Sequence, residues 1–241
     1  LAPLLRWEAA RCRRRERQLA AAAEIATAVA ARALAALASP AGRGRVVPVS
    51  ARRALHGGRA SASEPVVLLS GNLGYRPTVQ GALWFAREVW PGLRRSVPEA
   101  RWVLAGARPA SAVRRLGRLP GVELRAEVPD LAPYLNAARV AIAPMCTGSG
   151  VPMKVLEALA AGVPAVVHPW AAAGLAEGAA SAVAVAEGAA AWVEVLARLL
   201  CDAEAAGELG ERGREAWRAH YHPDVVADRI RAVVAEAAGC C

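Results

Sequence analysis

From Pro65 onward the chain alternates short apolar runs with stretches of helical period, and this rhythm restricts the fold more than any other feature. The runs Val66–Ser70, Arg101–Ala105, Val122–Arg125, Val140–Ala143 and Ala165–His168 read as strands, with Ser181–Val185 as a further one. Between and after them, Thr78–Ser96, Ala110–Arg118, a short segment to Ala137, a segment through Ala161, Gly188–Leu200, Ala203–His220 and Pro223–Ala238 read as helices. Strands that alternate with helices predict an α/β fold with a doubly wound parallel sheet. Continuous apolar strands, without polar alternation, fit burial on both faces. Ligands of such sheets bind at the carboxyl ends of the strands. The loops at Gly71, Gly106, Val128 and Pro144–Gly150 all fall at that edge.

Upstream the pattern changes. Residues 5–20 read as a basic helix, with Arg11, Arg13, Arg14, Arg15 and Arg17 nearly consecutive. Residues 24–29 read as a short buried strand, followed by an alanine helix to about Ala38. Ser39 to Glu64 is rich in Gly, Pro, Ser and Arg, a linker signature, with one short strand expected in Val46-Val47-Pro48-Val49. The expected organisation is therefore a first segment 1–38, a linker 39–64 and a main unit 65–241. The net charge of +9 is unevenly spread, at +14 over residues 1–158 and −5 beyond. Such asymmetry suits a polyanion or an anionic membrane surface, although a solvated arginine face is the alternative.

The five cysteines, Cys12, Cys146, Cys201, Cys240 and Cys241, show no Cys-x-x-Cys spacing and no nearby histidine pattern for zinc. They read as reduced thiols of a cytosolic protein, and no metal site is expected. His56, His168, His220 and His222 have no partners at metal or triad spacing and read as structural or surface groups. Trp84, Phe85, Trp90 and Trp102 read as packing between a helix and the sheet rather than a stacking platform for nucleic acid. No window reaches the length of uninterrupted apolar chain that a membrane-spanning helix needs, and no signal peptide is visible. The chain starts at Leu1 rather than Met, so it is expected to be a piece of something longer.

Of the 30 basic residues, 29 are Arg and one is Lys. That one, Lys154, sits where a Gly-rich loop, Thr147-Gly148-Ser149-Gly150-Val151-Pro152, runs into a helix. A compact ammonium differs from a guanidinium where a point charge must fit beside phosphate oxygens. Helix N-terminal amides attract anions, and a lysine one turn in adds charge. Glu157, three residues on, shares a helical face with Lys154. A Gly-rich loop alone is weak evidence. The full string through Glu157-Ala158-Leu159-Ala160-Ala161-Gly162-Val163-Pro164 is far more specific.

With these residues in hand, the stretch from 65 to about 230 resembles the C-terminal nucleotide-sugar-binding domain of the family-4 retaining glycosyltransferases, which have the GT-B fold. The likeness is carried by Gly71-Asn72-Leu73-Gly74-Tyr75-Arg76-Pro77, Trp84-Phe85, Val89-Trp90-Pro91, Val97-Pro98-Glu99-Ala100-Arg101, Gly106 and Val128-Pro129-Asp130-Leu131. Ala143-Pro144, Gly148-Ser149-Gly150, Lys154, Glu157-Ala158 and Gly162-Val163-Pro164 complete it. The most similar subgroup is the bacterial exopolysaccharide-associated sugar transferases. Residues 5–38 are similar to the end of that family's N-terminal, acceptor-binding domain, most of which would then be absent. The final helices are similar to its segment that packs back across the interdomain cleft.

The resemblance implies a Rossmann-like sheet, the C-terminal half of a GT-B protein, with a remnant of the N-terminal half. It implies retaining, hexosyltransferase-like transfer of a sugar from a nucleotide-sugar donor to a glycan or lipid-linked acceptor. This chain would supply the donor-binding half and be inactive alone. No metal or other cofactor and no nucleic acid partner is implied. The expected location is cytoplasmic, with peripheral contact of the basic segment at the inner face of an anionic membrane.

In such an enzyme the departing diphosphate gathers negative charge and needs fixed positive charge beside it. Lys154, the helix start at Val151 and the amides of Gly148, Ser149 and Gly150 would supply it. Glu157 would accept hydrogen bonds from the ribose hydroxyls. Lys154 and Glu157 are accordingly the catalytic candidates. Gly71 and Asn72 would let the donor phosphates approach, and Arg76 would contact phosphate, a solvated role being the alternative. Gly106 and Val128 would border the base through backbone groups, or form plain turns.

Two departures stand out. Ser149 takes the place of a Glu that many family members carry eight residues before the counterpart of Glu157. Val49-Ser50-Ala51-Arg52-Arg53 replaces the family's Asn-Gly-Val-Asp segment. A truncated or degenerate, non-catalytic nucleotide-binding module is the competing function. Ser149 and the missing half favour it, while the Lys154/Glu157 pair disfavours it.

Overall fold

A computed structural model describes residues 2–51, 64–148 and 150–239. Arg52, Arg53, His56, Ser149, Cys240 and Cys241 therefore lie outside the described residues, as does most of the second half of the expected linker. In chain order, the first part comprises α1 (Ala2–Ala22), β1 (Ala26–Ala28), α2 (Ala31–Leu37) and β2 (Gly44–Val46). The main unit begins with β3 (Val66–Asn72), α3 (Arg76–Trp84), α4 (Trp90–Ser96), β4 (Arg101–Ala107), α5 (Ser111–Leu116), β5 (Val122–Ala126) and α6 (Ala132–Ala137). It continues through β6 (Val140–Ala143), α7 (Met153–Ala161), β7 (Ala165–Val167), α8 (Pro169–Ala172) and β8 (Ala184–Val185). The helices α9 (Ala189–Cys201), α10 (Ala203–His220) and α11 (Pro223–Gly239) close it.

The apolar runs assemble into one six-stranded sheet, ordered β5-β4-β3-β6-β7-β8, with every adjacent pair parallel. Numbered within the sheet this is 3-2-1-4-5-6, the order of a doubly wound dinucleotide-type sheet. The expected α/β class is thus what forms. Successive side chains of the strands serve opposite faces, as a strand's period of two requires. Val66, Leu68, Val103, Ala105, Ala141, Ala143, Ala165 and Val167 pack on one face with Leu156 and Leu159 of α7 and Trp217 of α10. Val67, Leu69, Trp102, Leu104, Val140, Ile142 and Val166 pack on the other with Phe85, Trp90, Leu93, Trp192 and Leu196. Burial on both sides is why the strands carry no polar alternation.

Phe85 packs against Trp102 with ring centroids 4.7 Å apart and the planes tilted by 59°, and Trp90 lies 5.8 Å from Trp102. Trp84 meets Trp192 edge-on at 5.8 Å. These aromatics are a core cluster between helices and sheet, as the sequence indicates.

Four local expectations are corrected. The helix read as continuous over Thr78–Ser96 holds a π turn at Phe85–Val89, where the Trp90 amide bonds back to Phe85. Pro91 follows directly; its ring excludes the carbonyl four residues back, and the helix absorbs this by widening one turn. The strand expected at Ser181–Val185 is a 3₁₀ turn at Ala180–Ala182 followed by the two-residue β8. The Ser181 hydroxyl donates to the Gly178 carbonyl and favours the turn. The linker strand is Gly44–Val46, not Val46–Val49, and it pairs in parallel with β1 of the first segment. The last correction is α8, which follows β7 without having been anticipated.

Candidate functional site

The strand order reverses between β3 and β6, and the crevice at their carboxyl ends is where a doubly wound sheet binds its ligand. Two cavities open there. The larger, about 390 Å³, is lined by Gly71, Asn72, Thr78, Gly148, Gly150, Lys154, Glu157 and Trp170, among others. The smaller, about 290 Å³, is lined by Gly106, Val128, Pro129, Asp130 and Leu131, and again by Gly71 and Glu157. The two share a wall made of Gly71 and Glu157.

The backbone at the sheet's edge is shaped for close approach. Gly71 and Gly106 are register partners on β3 and β4. Gly106 has φ +154, and a Cβ there would lie 1.8 Å from the Gly71 carbonyl oxygen. Gly71, at φ +104, faces Lys154, whose Nζ would lie 3.8 Å from an added Cβ. Only glycine fits at Gly106, because no side chain can share space with a neighbouring carbonyl. After β3, the Asn72 side chain accepts a hydrogen bond from the Gly74 amide at 3.0 Å and folds the loop that leads to α3.

Helix α7 presents its N-terminus to the larger cavity. Its N-cap is Pro152, which gives no side-chain hydrogen bond to the first turn. First-turn amides without a side-chain cap are an anion site in waiting. The helix ends at Gly162, at φ +68, with the Gly162 amide bonded to Leu159 O and Val163 to Ala158 O. This Schellman arrangement explains the Gly-Val-Pro that follows the helix. Between these ends Val155, Leu156, Ala158 and Leu159 are buried against the sheet, which turns Lys154 and Glu157 toward the cavities.

Lys154 Nζ donates to the Thr78 hydroxyl at 3.3 Å, and Thr78 is fully buried at the start of α3. Burial pushes the lysine down from 10.5 to about 8, against the opposing pull of Glu157. Burial pushes the Glu157 carboxyl up, partly offset by Lys154. The two are coupled through space, yet no contact ion pair joins them. Lys154 is therefore a half-buried cation hydrogen-bonded to a neutral hydroxyl, not an exposed helical lysine.

The structure brings together Gly71, Asn72, Gly148, Gly150, Lys154 and Glu157 around one cavity, and Gly106 and Val128 around its neighbour. Ser149 lies outside the described residues. Arg76 stands apart: it is exposed at the first position of α3 and lines neither cavity. His168 caps α8, its Nδ1 accepting from the Trp170 amide at 3.1 Å, and His222 sits beside Asp224, so both are structural. Cys12, Cys146 and Cys201 are exposed free thiols.

Among the wall residues that the sequence did not single out are Thr78, Arg32 and Trp170. Trp170 carried a usable signal, since it lies three residues past the carboxyl end of β7. Arg32 carried none, being one arginine of 29 in a segment read as separate.

Residues 64–202 match the family model described as "Glycosyl transferases group 1". No curated protein matches the chain. Among solved structures, sucrose-phosphate synthase from Thermosynechococcus elongatus is 21% identical, with TM-score 0.72, over 94% of this chain and 61% of that one. The Anabaena HepE structure in complex with UDP and glucose is 12% identical, with TM-score 0.69, over 88% of this chain and 63% of that one. The α,α-trehalose 6-phosphate synthase of Burkholderia multivorans is 14% identical, with TM-score 0.68, over 93% and 61%. These likenesses share a fold with the chain, which spans about three-fifths of each.

Proposed function

The chain belongs to the glycosyl transferases of group 1, and from that premise we propose that its paired cavities hold a nucleotide-sugar donor, the diphosphate beside Lys154 and the nucleoside beyond Glu157. The observation that carries this is the shared wall: the half-buried Lys154 on one side, the Glu157 carboxylate between, and a second chamber edged by Gly106, Val128 and Asp130. An extended ligand with an anionic middle and a neutral, hydroxyl-rich end matches that sequence of environments. A solved neighbour that holds UDP and glucose supports a donor of this class.

In this reading the bond between the sugar's anomeric carbon and the diphosphate oxygen breaks as one to an acceptor hydroxyl oxygen forms; the electron pair leaves with the diphosphate, whose oxygen takes up the hydroxyl's proton. Lys154 Nζ and the uncapped amides of α7 take up the growing charge. Glu157 accepts hydrogen bonds from the ribose hydroxyls, and Gly71, Asn72, Gly148, Ser149 and Gly150 let the phosphates approach. Arg76, outside both cavities, is the member of the set with the least support.

The wider proposal is a retaining, hexosyltransferase-like enzyme of bacterial exopolysaccharide assembly, working without a metal on a glycan or lipid-linked acceptor at the cytoplasmic face of a membrane. This chain is its donor-binding half, organised as segment 1–38, linker 39–64 and main unit 65–241, and does not transfer sugar alone. A non-catalytic nucleotide-binding module would use the same cleft; turnover by the complete protein separates the two.

Calorimetric titration of the chain with UDP, GDP and ADP tests the site. Binding of at least one is expected, with Lys154→Ala weakening it more than tenfold, the scale of a charge-assisted contact to phosphate. Replacing magnesium with a chelator should leave the affinity unchanged. Equal affinity in the Lys154→Ala variant would remove Lys154 from the site.

A further inference from the structure

The larger cavity has a wall residue from the N-terminal segment, and it is charged. Arg32, at the second position of α2, lines the same cavity as Lys154. Its guanidinium carbon lies 4.5 Å from the centroid of the Trp170 ring, and its Nη1 donates to the Trp170 carbonyl at 3.1 Å. The Trp170 indole in turn donates from Nε1 to the Gly148 carbonyl at 3.0 Å. Three residues before Arg32, Val29 packs on the same loop, where a Cβ on Gly150 would lie 3.3 Å from its Cγ2. The first segment thus reaches the Gly-rich loop directly at Val29 and, by way of Trp170, at Arg32.

Arg32 is half-buried, and among the described residues no carboxylate pairs with it. With its flat face on the indole and one Nη1 N–H given to the Trp170 carbonyl, the guanidinium keeps its other edge N–H groups for the oxygens of a phosphate. The diphosphate of a nucleotide sugar carries more negative charge than one ammonium offsets. A guanidinium, unlike a buried lysine, stays protonated at every physiological pH.

We infer that Arg32 is the second cation of the donor site, carried in by the N-terminal segment and aimed by Trp170 at the diphosphate that Lys154 also contacts. The inference rests on the nucleotide-sugar reading above. Trp170 is a positioning residue in it, holding the guanidinium on one side and the Gly148 carbonyl on the other.

The test is a titration of the full 241-residue chain, and of Arg32→Ala, Arg32→Lys, Trp170→Phe and Lys154→Ala variants, with UDP, GDP and ADP, the matching nucleosides and inorganic pyrophosphate. Thermal unfolding is followed in parallel. Arg32→Ala should weaken diphosphate and pyrophosphate binding about tenfold and leave nucleoside binding unchanged. Arg32→Lys should restore only part of that loss, because the stacked fork is gone. The Arg32→Ala loss should persist well above pH 8, where the contribution of Lys154 fades. Unchanged diphosphate affinity in Arg32→Ala, beside a loss in Lys154→Ala, overturns the inference and leaves the donor reading standing. A parallel fall in nucleoside and diphosphate affinity would make Arg32 purely structural and also overturn it. A chain that binds no diphosphate in any form overturns the donor reading and the inference together.

Discussion

Lys154 sits where its own charge is costly until an anion arrives, and that cost has a measurable pH signature. Burial lowers its proton affinity from 10.5 to about 8, so the ammonium is intact below that value and lost above it. Diphosphate affinity should therefore be highest below pH 8 and fall as pH rises through it; a flat profile across that range would detach Lys154 from the ligand. In the empty protein the sign reverses. Between 8 and 10.5 the unfolded chain holds the proton that the folded chain has released, so this group's contribution to stability rises with pH over that window. The site's centre was legible in the sequence because a lone lysine in an arginine-rich chain, a Gly-rich loop and a Glu three residues on are local facts. Thr78 and Arg32 were not, because they lie 76 and 122 residues from Lys154 along the chain and come to the same cavity only in the folded protein.

At the scale of elements, the paired strand ends Gly71 and Gly106 make the tightest demand on sequence. Gly106→Ala would set a Cβ 1.8 Å from the Gly71 carbonyl, on a backbone at φ +154. Chemical denaturation should show a loss of at least about 2 kcal/mol, with donor binding weakened as the edge of β3 shifts. Gly207, exposed in the interior of α10 with nothing within 4 Å of where a Cβ would sit, is the control. Gly207→Ala should stabilise the chain by up to about 1 kcal/mol, since alanine is the better helix former. A destabilised Gly207→Ala would contradict the helix assignment, and a neutral Gly106→Ala would contradict the strand pairing. Strands buried on both faces were readable from their unbroken apolar runs, whereas the π turn was not. Pro91 is visible in the sequence, but whether a helix breaks or widens there is decided by Phe85, Trp90 and Trp102 packing on both sides of the turn.

Over the whole molecule, charge and shape point the same way. The described residues from Pro3 to Leu19 of α1 are all exposed, including Arg11, Arg13, Arg14, Arg15 and Arg17, and Leu4, Leu5 and Trp7 stand among them. No helix among the described residues is long and apolar enough to cross a membrane. In the reading proposed above, α1 attaches peripherally and electrostatically, at roughly 1 kcal/mol per basic residue near an anionic surface. The chain should pellet with anionic vesicles at low salt and release at high salt or after neutralisation of Arg11 through Arg17. Equal pelleting with neutral vesicles would count against it.

The claim on which the rest depends is that the donor lies across the β3–β6 edge of the sheet. Hydrogen exchange of the full chain, with and without whichever of UDP, GDP and ADP it binds, tests this directly. Slowed exchange is expected at 71–76, at 106–108, at 128–131 and from 147 through the first turn of α7, with α1 and α11 unaffected. Protection confined to α1, or spread without preference for those loops, would contradict it.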